Sequence, residues 1–270
     1  MKEGLKGYTS DEVAGLRITI ASVFLLPFLF KYYSVDLRKY FKGLMFSGVF
    51  GNLLPAFLFT KAETQISSSL TGMLNALTPV FTVIVGYLFF KQKISKFHII
   101  GVLLGFIGAI GVVYFGSGSE SSKNALYCLF VLLATLFYAL SVNGINTFLK
   151  GLNPFTATVW SFTMIGPIAA IYLFGFTDVV KHTIENPQAG KALLFISILA
   201  IFGSALSVIA FNKLIHLSGV VFASSCTYLI PIFAIAWGLV YNEEVKWLQI
   251  VMISFVVLGI WVINLGKKKV

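Results

Sequence analysis

The most chemically loaded residue of this 270-residue chain is a lone arginine in an apolar run, Arg17 in VAGLRITIASVF. A guanidinium at the centre of a membrane-spanning helix costs about 2.5–3.5 kcal/mol even on the lower insertion scales. Such a group either holds a carboxylate or phosphate through its bidentate fork or lies near the outer interface and snorkels to it. Asp11 and Glu12, close by in sequence, support the second reading. Asn75 and Thr227 stand four residues before Pro79 and Pro231. A proline has no N–H, so it kinks its helix and frees a carbonyl one turn earlier. Freed backbone beside polar side chains is one way to build a solute site near the midplane; helix-to-helix hydrogen bonding is the alternative. Tyr228 adds a hydrogen-bonding wall there. Tyr138, Ser141 and Asn143 form a third polar group, the first two on one helix face. Trp160 and Thr163 form a fourth, with Trp160 also suited to anchoring at the interface. Asn52, Ser204 and Ser207 read as packing contacts.

These residues must be positioned by apolar helices. The chain is 58% apolar and 11% charged, with a mean hydropathy of +0.91, whereas a soluble domain carries about 25% charged residues. Nine runs are long enough to cross a bilayer, roughly 12–31, 42–60, 66–90, 97–115, 125–149, 155–175, 191–211, 218–241 and 247–265. Short charged loops between them imply an all-α polytopic bundle in lipid; the strict alternation of a membrane β-barrel is absent. The loop from Thr177 to Gly190 is the longest.

The net charge of +10 resides in clusters between the runs, such as Arg38, Lys39 and Lys42 or Lys267 to Lys269. No basic stripe with interleaved aromatics accompanies it, which argues against a nucleic-acid partner. With the C-terminus inside, 12 Lys and Arg residues fall on the inner side and 7 on the outer, so the positive-inside rule places the C-terminus in the cytoplasm. Cys128 and Cys226 sit alone in apolar runs and read as small buried side chains. The first residues lack the apolar core of a signal peptide.

Gly101, Gly105, Gly108 and Gly111, spaced four, three and three, form a smooth stripe for close helix packing, within one chain or between two copies as a homodimer. Residues such as HExxH or a mid-span carboxylate, which an intramembrane enzyme or a carboxylate proton relay would use, are absent. No catalytic residue, metal or other cofactor is expected.

The segment Leu70 to Gly116 returns at Phe222 to Asn264; Phe59, Lys61 and Pro79 match Phe211, Lys213 and Pro231 at one offset of 152. LKGYTSDEVAGLRIT at 5–19 aligns with LKGLNPFTATVWSFT at 149–163. The second half has five runs and the first has four, so the expected unit is a five-helix repeat used twice. An odd number inverts the second copy, a hallmark of secondary transporters.

With LTP at 77–79, LIP at 229–231, the turns FFKQKIS and YNEEV, and the glycine-rich IIGVLLGFIGAIGVVY, the chain resembles the EamA-like permeases of the drug/metabolite transporter superfamily. That family's turn carries an acid where Gln92 stands here. The resemblance implies ten helices in two inverted repeats, here 1–116 (four of five helices) and 123–266. It also implies a multi-pass protein of the plasma (inner) membrane that moves small metabolites, such as amino acids or related polar or amphipathic solutes, by alternating access. In the family a Trp often stands near Tyr138 and faces the cavity. The lost first helix is expected to reflect a start placed too late; the alternative is a truncated, non-transporting scaffold or pseudo-transporter.

Overall fold

The structure, a computed structural model, describes residues 1–30, 35–66, 68–116, 125–230, 233 and 247–267. In chain order the helices are α1 (Ser10–Leu29), α2 (Leu37–Gly48), α3 (Leu54–Ala62), α4 (Ser68–Asn75), α5 (Thr78–Leu88), α6 (Lys96–Gly116), α7 (Ala125–Phe148), α8 (Pro154–Phe176), α9 (Val179–Glu185), α10 (Ala189–Ile198), α11 (Ser207–Ser218), α12 (Val220–Ser225) and α13 (Trp247–Lys267). A π-helical segment, Val49–Leu53, joins α2 to α3, and a second, Leu199–Leu206, joins α10 to α11. No strand occurs among the described residues. The protein is an all-α polytopic membrane protein: five continuous helical stretches are long and apolar enough to span, accompanied by shorter apolar helices. The outward faces are apolar as lipid requires, with Ile100, Ile107, Ile171, Phe174, Phe202 and Trp261 all exposed.

Three sequence expectations need adjustment. The run at 66–90 is interrupted between α4 and α5, so Pro79 begins a helix and does not kink one. The ring of a proline collides with the carbonyl four residues back, here that of Asn75, and the Thr78 hydroxyl donates to that carbonyl at 2.7 Å. The loop at 177–190 contains helix α9. The third concerns the run at 191–211, which lies inside a stretch reaching from Ala189 to Ser218. There Gly219, with φ at +81°, lets the chain turn directly into α12. Pro231 and the later part of the eighth run lie outside the described residues.

Helix α1 starts with a capping box: Thr9 Oγ1 accepts from the Glu12 amide, and the Glu12 carboxylate accepts from the Thr9 amide at 2.9 Å. Glu12 is fully buried, and both its oxygens lie 2.9 Å from Nδ1 of His182 on α9. Tyr8 and Thr183 add a hydroxyl pair at 3.0 Å, so α9 is tied back onto the start of α1. From there α1 lies against α8 through Ala14, Ile18 and Ala21, packed with Phe162, Ile165 and Ala169, and the Ser22 hydroxyl donates to the Phe162 carbonyl at 2.9 Å.

The glycine stripe of α6 is filled from within the same chain. A Cβ on Gly259 of α13 would lie 2.5 Å from the Gly105 amide nitrogen and 2.6 Å from the Gly101 carbonyl oxygen. A Cβ on Gly105 would strike the Tyr228 ring at 2.4 Å, and one on Gly111 would strike Met252 at 2.3 Å. Two helix backbones touch here because lipid supplies no hydrophobic drive between helices and close van der Waals approach replaces it. Gly259→Ala should therefore cost about 1–3 kcal/mol by overpacking, visible as a melting temperature several degrees lower in detergent. Gly175→Ala, with nothing within 4 Å of its new methyl, should not lower that temperature, since Ala is the better helix former.

Candidate functional site

A partly open cavity of about 370 Å³ lies where the interrupted helices converge. Its wall comes from α1 (Arg17, Ile18), the α2–π junction (Ser47, Gly51, Asn52), the α4–α5 break (Asn75, Thr78), α7 (Tyr138, Ser141, Val142, Ile145), and the second π segment with α11 (Gly203, Ser204, Ser207, Val208, Phe211, Asn212). Thr227 and Ile230, in and after the 3-10 turn that follows α12, complete it.

The irregular backbone explains why polar groups collect here. In each π segment an amide bonds five residues back: Leu54 to the Val49 carbonyl, and Ser207 to that of Phe202. Such bulges redirect side chains and recur at functional sites. The two are related by the sequence offset: Gly51 and Asn52 plus 152 give Gly203 and Ser204. The second pair of breaks matches too. Asn75 ends α4, its counterpart Thr227 lies in the 3-10 turn Cys226–Leu229, and Thr227 Oγ1 donates to the Ser224 carbonyl at 2.9 Å.

Of the sequence-derived residues, the structure brings Arg17, Asn75, Tyr138, Ser141 and Thr227 to the cavity wall. Arg17 turns inward, and its Nε–H donates to Ser204 Oγ at 2.6 Å. Among the described residues no carboxylate pairs with it. The Tyr138 ring packs beside that of Phe59, centroids 5.7 Å apart. Ser141 faces Gly51 closely, since a Cβ on Gly51 would fall 2.3 Å from the Ser141 hydroxyl.

Four expected residues lie elsewhere. Asn143 is fully buried; its Nδ2 donates to the Thr82 carbonyl of α5 at 3.1 Å and to the Ala139 carbonyl at 2.8 Å. Helix periodicity explains the split, since Ser141 and Asn143 are two apart within one turn and point to different faces. Tyr228 is fully buried, its hydroxyl donating to the Val102 carbonyl at 2.8 Å and its ring lying beneath Gly105. Thr163 bonds back to the Val159 carbonyl at 2.8 Å. Trp160 packs with the cluster of Leu44, Ala157 and Ile215. Asn52, Ser204 and Ser207, expected as packing contacts, line the cavity together with Ser47, Thr78 and Asn212. A glycine followed by a small polar residue at both 51–52 and 203–204 was the signal available for two of these.

Asn212 has a fixed orientation. The Thr158 hydroxyl donates to the Pro154 carbonyl at 2.9 Å, so it can only accept from Asn212 Nδ2, also at 2.9 Å. This leaves Asn212 Oδ1 as a buried acceptor without a protein partner. Just beyond α3, burial pushes the Glu63 carboxyl above its ordinary value of 4.5, opposed in part by Lys2 and Arg17. Among the described residues no cluster of His, Cys, Asp or Glu could hold a metal.

A helical membrane bundle whose broken helices meet around a cavity with polar side chains in its wall is the architecture of a membrane transporter. The chain belongs to the EamA-like transporter family, whose profile matches residues 1–114 and again 125–265. It is 25% identical to the uncharacterised transporter YetK of Bacillus subtilis, over 95% of this chain and 78% of that one. It is 26% identical to the uncharacterised inner membrane transporter YedA of Escherichia coli K12, over 98% and 84%. A crystal structure sharing 14% identity superposes with a TM-score of 0.72, over 99% of this chain and 92% of the other, a likeness of fold.

Asn143→Ala should lower stability by about 1–3 kcal/mol through the lost hydrogen bonds between buried groups, read as thermal unfolding, while solute binding to the folded fraction stays unchanged. For Glu63, a raised native pKa means that the folded state holds its proton more tightly. Stability should thus fall as pH rises from about 4.5 through the native pKa, and Glu63→Gln should flatten that slope in melting scans from pH 4 to 8.

Proposed function

We propose that the chain is a permease of the plasma (inner) membrane that carries small metabolites by alternating access, its cavity opening to one side at a time. The two moving units would be the inverted repeats 1–116 and 123–266, with the C-terminus in the cytoplasm. One observation carries this reading: the cavity draws its polar wall from equivalent irregularities in both halves, Gly51 and Asn52 with Gly203 and Ser204, and Asn75 with Thr227. A site shared between pseudo-symmetric units is one that rocking of either unit exposes or closes. Amino acids and related solutes fall within the size that about 370 Å³ admits.

The test is flux. Proteoliposomes containing the purified protein should show saturable uptake of at least one solute from a panel of small metabolites. Ser207 is exposed and borders the cavity, so Ser207→Trp should fill the cavity and abolish that uptake, with an unchanged gel-filtration profile. Absence of saturable flux across the panel would contradict the proposal.

A further inference from the structure

Among the described residues, the wall of the cavity carries one fixed charge and no opposing one. Arg17 lies seven residues inside α1, about 10 Å along the helix, and is half-buried. A guanidinium has five N–H donors in a planar fork. One is taken by Ser204 Oγ at 2.6 Å; no other protein acceptor serves Arg17 among the described residues.

The acids close to it in sequence are committed elsewhere. Glu12 is held by the Thr9 amide and His182, and Asp11 lies near the hydroxyls of Ser10 and Tyr172. Glu63 feels Arg17 only as a minor influence, and its carboxyl is raised by burial where a direct ion pair would lower it. Every other polar side chain on the wall among the described residues is a neutral amide, hydroxyl or phenol, and Ile18, Val208 and Phe211 supply an apolar side.

A half-desolvated guanidinium with unused donors favours an oxyanion that can accept two of them in parallel. A cation would meet only repulsion there. Among the described residues, a zwitterion would have to strip water from its ammonium with only neutral acceptors such as Asn212 Oδ1, and no carboxylate, to receive it. At about 370 Å³ the cavity is at the small end of ligand pockets. We infer that the cavity selects small organic monoanions, with a carboxylate or like oxyanion head on Arg17 and an apolar body against Ile18, Val208 and Phe211. This deepens the transport reading, on which it rests for the use to which binding is put, and it narrows the expected solutes away from amino acids.

The experiment uses the full chain in detergent at pH 7 and follows the melting temperature against four six-carbon probes that differ only in head group: hexanoate, hexanamide, hexylamine and norleucine. Hexanoate should stabilise the protein, and the other three should need at least about tenfold higher concentration for the same shift. Arg17→Gln should weaken hexanoate about 10- to 100-fold, as expected for a lost charged hydrogen bond, and Arg17→Lys should restore part of it. Equal effects of hexanoate and hexanamide or norleucine, no effect of any probe, or undiminished hexanoate binding by Arg17→Gln would each overturn the inference. The head-group ranking is read on the unaltered protein, so it decides the question even where an Arg17 variant fails to fold. Uptake of hexanesulfonate into proteoliposomes separates the two readings. Hexanoate binding without uptake of any solute removes transport and keeps the anion site. Uptake of neutral or cationic solutes without hexanoate binding removes the anion site and keeps transport.

Discussion

Inside hydrocarbon there is no water to bond a free backbone N–H or C=O, so every such group must be answered by the protein itself. This constraint dictates the all-helical bundle, and it gives meaning to the few places where the helical ladder is interrupted. At Val49–Leu53 and Leu199–Leu206 the ladder widens to a π turn, and at Asn75 and Thr227 it breaks or tightens. Each interruption is compensated locally, by a five-residue amide bond or by a threonine hydroxyl turned onto a carbonyl. Each also borders the same cavity. Irregular backbone and polar wall are thus two aspects of one solution: broken helices are tolerated where they face protein or a cavity, and here they face a cavity.

The remainder of the molecule packs without the drive that organises a soluble core. Its neighbouring helices are held by shape and by buried hydrogen bonds. Gly101, Gly105 and Gly259 bring α6 and α13 into backbone contact. Tyr228 inserts its ring under Gly105 and bonds the Val102 carbonyl. Ser22, Ser161 and Asn143 each send a side-chain donor to a carbonyl on a neighbouring helix. Polar residues at membrane depth therefore divide into two populations. One joins helices and has its donors occupied, as with Asn143 and Tyr228. The other borders open volume and keeps donors in reserve, as with Arg17. For a transporter of the EamA-like family, the second population is where solute chemistry belongs.

Much of the bundle was legible in the chain because the bilayer imposes a length and a composition that a sequence displays directly. Most apolar runs hold helices among the described residues, though the run at 66–90 is interrupted, and the offset of 152 paired Asn75 with Thr227 before their breaks were seen. Within the site, Arg17, Asn75, Tyr138, Ser141 and Thr227 could be singled out because a polar residue in an apolar run is conspicuous. Asn143 and Tyr228 were equally conspicuous and lie elsewhere, since residue type does not reveal which face of a helix meets a neighbour. Asn52, Ser204 and Ser207 pointed the other way: a π turn adds a residue to the helical register and rotates the turns beyond it, and spacing rules built on 3.6 residues per turn cannot anticipate it.

By itself, then, the sequence determined the solvent, the helical class, the internal repetition and the short roll of polar residues from which any site had to be drawn. The tertiary structure decided which of them share a cavity, and it laid α13 and the Tyr228 ring against the α6 glycine stripe. It also showed that Arg17 turns inward to Ser204 with no carboxylate beside it among the described residues. The physical reason is that hydropathy and periodicity are properties of one helix. Occupancy of a donor, or of a groove, is a property of two helices brought together.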